Sequence, residues 1–256
     1  MIQKENQKFI TSNIFEGMTS ISAILNSPHA YRRKILEIWF DRAKKKTKSP
    51  ELGFLIAKSH EHGFPILFKS AEEIDAAAIG NTHGGILAFC DAITIPALTA
   101  DAITPKGFYV YLEGVEDPYN FGYTIRSLYA AGVDGVILPE RNWMHAAGVV
   151  ARASAGTSEL ISMFTANADQ LTELFHRRGY QIVCAGIRDS VSLYSANLPY
   201  PILLVIGGEK RGISRNLLNA ADQIVRIDYG REFRGSLSAA SAATVMAFEI
   251  LRQNKH

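Results

Sequence analysis

Phe108-Tyr109-Val110-Tyr111-Leu112, the turn Glu113-Gly114-Val115-Glu116-Asp117-Pro118-Tyr119, the segment Asn120 to Ala131 and the run Val133 to Leu138 make one strand, loop, helix and strand unit. The first run is a continuous apolar block and the second ends in one, Val136-Ile137-Leu138, as strands covered on both faces do. Between them Phe121, Ile125 and Leu128 recur at i, i+4 and i+7, which predicts a helix with Gly132 as its stop. The alternation continues downstream. Strands are predicted at Ile161 to Phe164, Gln181 to Ala185, Ile202 to Ile206 and Ile224 to Ile227, with helices near Asn167 to Arg178, Ser214 to Ala221 and Ser238 to Gln253. Such a series gives an α/β fold built on a mainly parallel sheet.

Upstream, residues 1–93 read as a smaller α/β unit. It contains an amphipathic segment from Ser20 to Leu25, a helix ending near His62-Gly63, a strand Pro65 to Phe68, a helix Ala71 to Ala78 and a strand Ile86 to Phe89. Pro96, Pro105 and small residues mark 94–106 as a linker, leaving 107–256 as the second domain. A basic run (Arg32, Arg33, Lys34, Arg42, Lys44, Lys45, Lys46, Lys48) carries only Glu37 and Asp41 as acids, and reads as a solvated helix face or loop. The alternative is a surface that tracks phosphates, whose binding would be salt-sensitive.

With 47% hydrophobic and 20% charged residues, the 256-residue chain is neither disordered nor fibrous. A net charge of +2 confines any polyanion-binding surface to a local patch. Residues 106–256 carry 12 Arg against 3 Lys, a bias that suits bidentate phosphate contacts. Cys90 and Cys184 are too few and too far apart for a disulfide framework or a zinc ribbon, so no metal site is expected. The first residues lack the apolar core of a secretory signal and no run reaches the roughly 18 apolar residues of a membrane span. The expectation is a soluble, cytoplasmic protein without a membrane partner.

Ligands of open parallel sheets bind beyond the carboxyl ends of the strands, and three loops lie there. In the first, Glu113 to Gly122, Asn120 is placed either as a helix N-cap or as a catalytic group. Arg126 lies one turn after Gly122 and leans back over the gap that glycine leaves. The alternative for Arg126 is a surface ion pair with Glu116 or another acid. The second loop, Gly207-Gly208-Glu209-Lys210-Arg211-Gly212, is followed by Ile213-Ser214 where a Walker A motif needs Lys-Ser/Thr, and no GxGxxG occurs at either loop. A nucleoside triphosphatase and a nicotinamide-dependent dehydrogenase are therefore disfavoured. The third loop, Tyr229 to Gly235, runs into Ser236-Leu237-Ser238 and a helix of small residues suited to capping and to close packing, including packing against a second subunit.

Together these segments resemble the three motifs of the SpoU/TrmH branch of the SPOUT superfamily, the RNA ribose 2′-O-methyltransferases. Leu112 to Gly122 with Arg126 and Ala130 to Val136 resemble the first motif; Ile206-Gly207-Gly208-Glu209 with Gly212, Ala221-Asp222 and Val225-Arg226-Ile227 the second; Ser236-Leu237 with Ala242-Ala243 and Glu249 the third. Phe15-Glu16-Gly17 with Ser20-Ile21, and Thr82-His83-Gly84-Gly85-Ile86, resemble the substrate-binding domain of rRNA-modifying members.

The resemblance implies a SPOUT-type parallel sheet with a C-terminal trefoil knot, preceded by an L30e-like domain. It implies S-adenosylmethionine as cofactor, contacted at Gly207, Gly208, Ile227, Tyr229, Ser236 and Leu237, and a homodimer packed through the catalytic domains. It assigns Asn120, Arg126, Glu209, Ser236 and Ser238 to catalysis or to shaping the site. The expected activity is methylation of a ribose 2′-hydroxyl in structured RNA, with 23S rRNA as substrate; tRNA, or RNA binding by a catalytically weakened protein, are the alternatives. A guanidinium with a pKa above roughly 12 is a poor base, so Arg126 is expected to clamp a phosphate while an RNA phosphate or water takes the proton. Two departures stand out. Ser238 replaces the usual Asn of the third motif, and Asp228-Tyr229 stands where Pro-Met is common, in a loop one residue longer.

Overall fold

The computed structural model describes residues 13–139, 146–208 and 210–255. They form two compact units, Met1–Thr94 with Asn142–Leu160, and Ile95–Arg141 with Ile161–His256.

The first unit contains β1 (Ile14–Glu16), α1 (Gly17–Leu25), β2 (Ile35–Asp41), α2 (Ser49–His62), β3 (Ile66–Lys69), α3 (Ala71–Ala77) and β4 (Ile86–Cys90). The sheet order is β1-β4-β2-β3; β4 runs antiparallel to both β1 and β2, and β3 parallel to β2. Phe15, Ile21, Ile24, Ile38, Phe40, Leu55 and Ile86 fill its core. Later in the chain, α5 (Ala147–Ala153) adds Ala147 and Ala151 to that core, and a Cβ at Gly148 would overlap the Ile14 carbonyl. Sequence order places this helix in the second domain; packing places it here. The basic run is split by β2. Arg33 is buried and ion-paired with Glu159 at 3.2 Å, whereas Lys45 and Lys46 stand in solvent on the turn before α2, so only the latter part fits the solvated-loop reading.

The second unit contains β5 (Phe108–Glu113), α4 (Pro118–Ala130), β6 (Gly135–Leu138), β7 (Met163–Thr165), α6 (Ala168–Arg177), β8 (Gln181–Ala185), β9 (Val191–Ser192), β10 (Ile202–Gly207), α7 (Arg215–Ala220), β11 (Gln223–Arg226) and α8 (Ala239–Asn254). Its seven strands, in the order β7-β6-β5-β10-β8-β11-β9, are all parallel, so their carboxyl ends share one edge. Tyr109, Tyr111, Leu203 and Val205 pack against Leu171, Phe175 and Leu217 of α6 and α7. The alternate residues Val110, Leu112, Leu204 and Ile206 are equally buried and point to the opposite face, where α8 lies on β10 and α4 on α8. Gly132 (φ +77°) ends α4 in the left-handed conformation that glycine adopts without penalty.

The predicted linker is not loose. Ile103 is buried in this core, Tyr109 donates its hydroxyl to the Ala102 carbonyl, and Tyr180 donates to Thr104 and accepts from the Gly107 amide.

Candidate functional site

The first and second loops are joined at three places beyond β5 and β10, which are adjacent in the sheet. Glu113 accepts the Ser214 amide at 2.8 Å, Lys210 and Glu116 form an ion pair at 3.5 Å, and Gly114 (φ +83°) packs against Gly208. A Cβ on Gly208 would overlap the Gly114 carbonyl, and one on Gly207 would overlap the Gly212 backbone. The Gly212 amide in turn donates to the Gly208 carbonyl at 2.9 Å, which folds the second loop into a closed turn. Main-chain packing at the glycines and two side-chain interactions together hold the loops.

Asn120 does not cap α4. Asp117 does, its carboxylate accepting the Asn120 amide at 2.8 Å, with Pro118 in the first turn. Asp-Pro at a helix start is the common pairing of cap and fixed φ, so the sequence carried this signal. Asn120 is thereby left half-buried in the first turn of α4, its carbonyl accepting the Thr124 hydroxyl at 2.7 Å. Arg126 lies on the solvent-facing side of the same helix and, among the described residues, makes no ion pair. Glu116 pairs with Lys210 instead, against the surface-pair alternative for Arg126.

In the third loop the Leu237 amide donates to the Tyr229 hydroxyl at 3.2 Å, and Tyr229 meets Phe233 edge to face at 5.6 Å. These contacts close the loop ahead of α8. Ser238 is the N-cap of α8: its hydroxyl accepts the Ser241 amide at 3.2 Å. Ser236 is exposed beside it, and Ile227 and Leu237 are half-buried. Behind β11, Arg226 bonds Asp228 at 2.9 Å; a hydrogen bond from Ser192 and the Arg226 charge hold the Asp228 carboxyl below its ordinary range. On α8, Glu249 accepts two bonds from Arg252, at 2.7 and 2.8 Å, and one from Gln253, which lower its pKa. Glu209 lies outside the described residues.

Burial pushes the Cys184 thiol up to about 12 and the Cys90 thiol higher still, so neither is poised as a thiolate. No group of acidic, histidine or cysteine side chains able to hold a metal occurs among the described residues, and no helix among them is long and apolar enough to cross a membrane.

The family model described as SpoU rRNA Methylase matches residues 107–248. The chain belongs to the SpoU rRNA Methylase family. A relative from Shewanella oneidensis, named 23S rRNA (guanosine-2′-O-)-methyltransferase RlmB, is 29% identical over 251 residues, 95% of this chain and 98% of its own. Another of that name, from Pasteurella multocida, is 27% identical over 252 residues, 95% and 99% of the two chains. Among solved structures, an AdoMet-bound rRNA methyltransferase from Sinorhizobium meliloti superposes with a TM-score of 0.77 at 23% identity, over 98% of this chain and 90% of that one, a likeness of fold. Within the SpoU family match fall all three loops, together with α5, whose packing lies with the first unit.

Sequence reasoning missed what joins the first two loops, the Gly114–Gly208 contact and the Lys210–Glu116 pair, and the Tyr229–Leu237 bond that closes the third. Each links positions set only once the sheet is assembled.

Proposed function

We propose that the protein transfers a methyl group from S-adenosylmethionine to a ribose 2′-hydroxyl of 23S rRNA. The observation that carries this reading is the meeting of the first two loops, backbone to backbone, at the carboxyl edge of β5 and β10, with Arg126 exposed on the helix that follows. That the relatives spanning both units are named as 23S rRNA methyltransferases favours rRNA over tRNA.

The residues fit the cofactor. Ile227 and Leu237 are half-buried apolar walls, and a Cβ at Gly212 or Gly230 would meet nothing within 4 Å, so both turns border open space with main-chain groups at hand. Gly207, Gly208, Ile227, Tyr229, Ser236 and Leu237 are the proposed cofactor contacts. Bound there, it supplies an electrophilic methyl on a sulfonium centre.

The chain's own part is placement. Arg126 holds the phosphate next to the reacting nucleotide in its planar fork, fixing the 2′-oxygen in line with the methyl. The hydroxyl proton would be taken up by that phosphate or by water. Asn120, six residues before Arg126 on the same helix, and Ser236 orient the ribose. Glu209 is proposed to organise the pocket. Ser238 acts through its cap, which fixes the direction in which α8 leaves the site.

The C-terminal segment is proposed to thread as a trefoil knot, a reading supported by β10 lying between β5 and β8. The mixed sheet of the first unit supports an L30e-like assignment. A homodimer through the second unit is supported by Tyr123, Tyr129 and Phe248, exposed on the mutually packed α4 and α8. A cytoplasmic location follows from the proposed ribosomal substrate. Incubation with methyl-labelled S-adenosylmethionine and rRNA tests the activity. Label should enter RNA and be lost with Asn120→Ala or Arg126→Ala; label that persists in both variants would overturn these roles.

A further inference from the structure

Between Ile227 and Tyr229, two of the proposed cofactor contacts, stands Asp228, where the resembled motif commonly has proline. Proline would fix its own φ there; aspartate leaves the backbone free unless something else holds it. In this chain side chains hold it. The Arg226 guanidinium bonds in two directions: Nε donates to the Asp228 carboxylate at 2.9 Å, and a terminal nitrogen donates to the Ser190 carbonyl at 2.6 Å. The Ser192 hydroxyl donates to Asp228 and accepts the Tyr194 amide at 3.2 Å. The segment that receives these bonds is itself fixed. β9 runs parallel to β11 with Ser192 opposite Arg226, and the Leu193 amide donates to the Arg226 carbonyl at 2.8 Å. Just before it, Asp189 (φ +52°) turns the chain and the Ser190 hydroxyl donates to the Ile187 carbonyl at 2.6 Å. Ile227 is therefore flanked by two anchored residues at the carboxyl end of β11, on the edge where the other loops emerge.

We propose that Arg226 and Asp228 are positioning residues: through Ser190 and Ser192 they lock the start of the third loop to β9 and so preset Ile227 and Tyr229 for S-adenosylmethionine. The proposal rests on the cofactor reading given above and adds what holds that pocket in shape before the cofactor arrives. The two side chains are 40% and 42% exposed, so as an isolated ion pair they would contribute little to the fold. Their effect is local. Each bond removes freedom from a loop that binding would otherwise have to order, and such preorganisation shows in affinity rather than in global stability. Arg226 serves both acceptors at once because its donors are spread over a planar fork. A lysine ammonium on a flexible stem replaces the charge without holding the two in register.

The test uses the full chain in calorimetric titration with S-adenosylmethionine, in thermal denaturation, and in trypsin cleavage after Arg231 and Arg234, which are exposed in the same loop. Arg226→Ala and Asp228→Ala should each raise the cofactor Kd roughly three- to tenfold, speed cleavage of the free protein by a similar factor, and leave the thermal midpoint nearly unchanged. The double variant should bind no worse than the weaker single one, because both break the same link. Asp228→Asn keeps a carbonyl acceptor and should stay within about twofold of wild type, whereas Arg226→Lys should behave as the alanine variant does. In turnover the KM for S-adenosylmethionine should rise while kcat at saturating cofactor holds. Wild-type affinity in both alanine variants, or additive losses in the double one, would overturn the positioning role while leaving the cofactor reading intact. A lowered thermal midpoint with unchanged Kd would make the pair purely structural and overturn it too. Failure of the wild-type protein to bind S-adenosylmethionine would remove both.

Discussion

Gly114 and Gly208 lie against each other so closely that a Cβ on the second would overlap the carbonyl of the first. That contact seats the loop after β5 on the loop after β10 with no side chain between them. Gly208→Ala should force the loops apart, costing about 1–3 kcal/mol of stability, and should weaken S-adenosylmethionine binding about tenfold or more. Calorimetric titration with thermal denaturation checks this; an alanine variant of unchanged affinity would show that the contact does not shape the pocket.

Arg126 has no acidic partner among the described residues, whereas Lys210 has Glu116 and Arg226 has Asp228. Arg126→Ala should lower kcat roughly 10²- to 10³-fold with little change in cofactor affinity. Arg126→Lys keeps the charge but loses the fork, and should retain under about a tenth of the rate. Full turnover by the lysine variant would contradict a bidentate clamp.

Ser238 caps α8, so Ser238→Ala should cost about 1 kcal/mol. Asn is an equally good cap, and Ser238→Asn, which restores the usual motif residue, should preserve the thermal midpoint and raise the transfer rate. Equal loss of stability in both variants would mean that the hydroxyl does more than cap.

Glu249 is nearly buried, and its carboxyl is held below the ordinary range chiefly by the hydrogen bonds of Arg252. A carboxyl whose folded pKa is depressed stabilises the fold above its unfolded value, and that contribution is lost as pH falls through the folded one. Glu249→Gln should therefore cost stability at neutral pH and narrow the gap to wild type as the solution is acidified below about pH 4. Denaturant titrations across that range measure it; a gap that widens toward acid would reverse the sign argued here.

Much of the second unit was legible because its strands are unbroken apolar blocks. Phe108 to Leu112 and Ile202 to Ile206 are buried along their whole length, as runs covered on both faces are. Short elements were not: Ile14–Glu16 and Val191–Ser192 are too brief to show a period, and β2 hides in a basic run because Glu37 and Asp41 interrupt it. The helix Ala147–Ala153 was missed since small residues carry little moment, and its docking on β1 depends on Gly148, a contact no local pattern announces. At the site, the resemblance to the family motifs singled out the glycines and Arg126, since spacing alone left a plain glycine-rich turn and a surface ion pair open. Asp117 as cap could have been read from Asp117-Pro118. The Glu16–Arg152 pair could not, because 136 positions separate its members.

The most direct measurement is nucleoside mass spectrometry of 23S rRNA taken from cells lacking this protein and then incubated with the purified chain and S-adenosylmethionine. A single new 2′-O-methylated nucleoside, absent when Arg126→Ala is used, is the predicted product. A methyl group on a base, or no cofactor-dependent product at all, would contradict it.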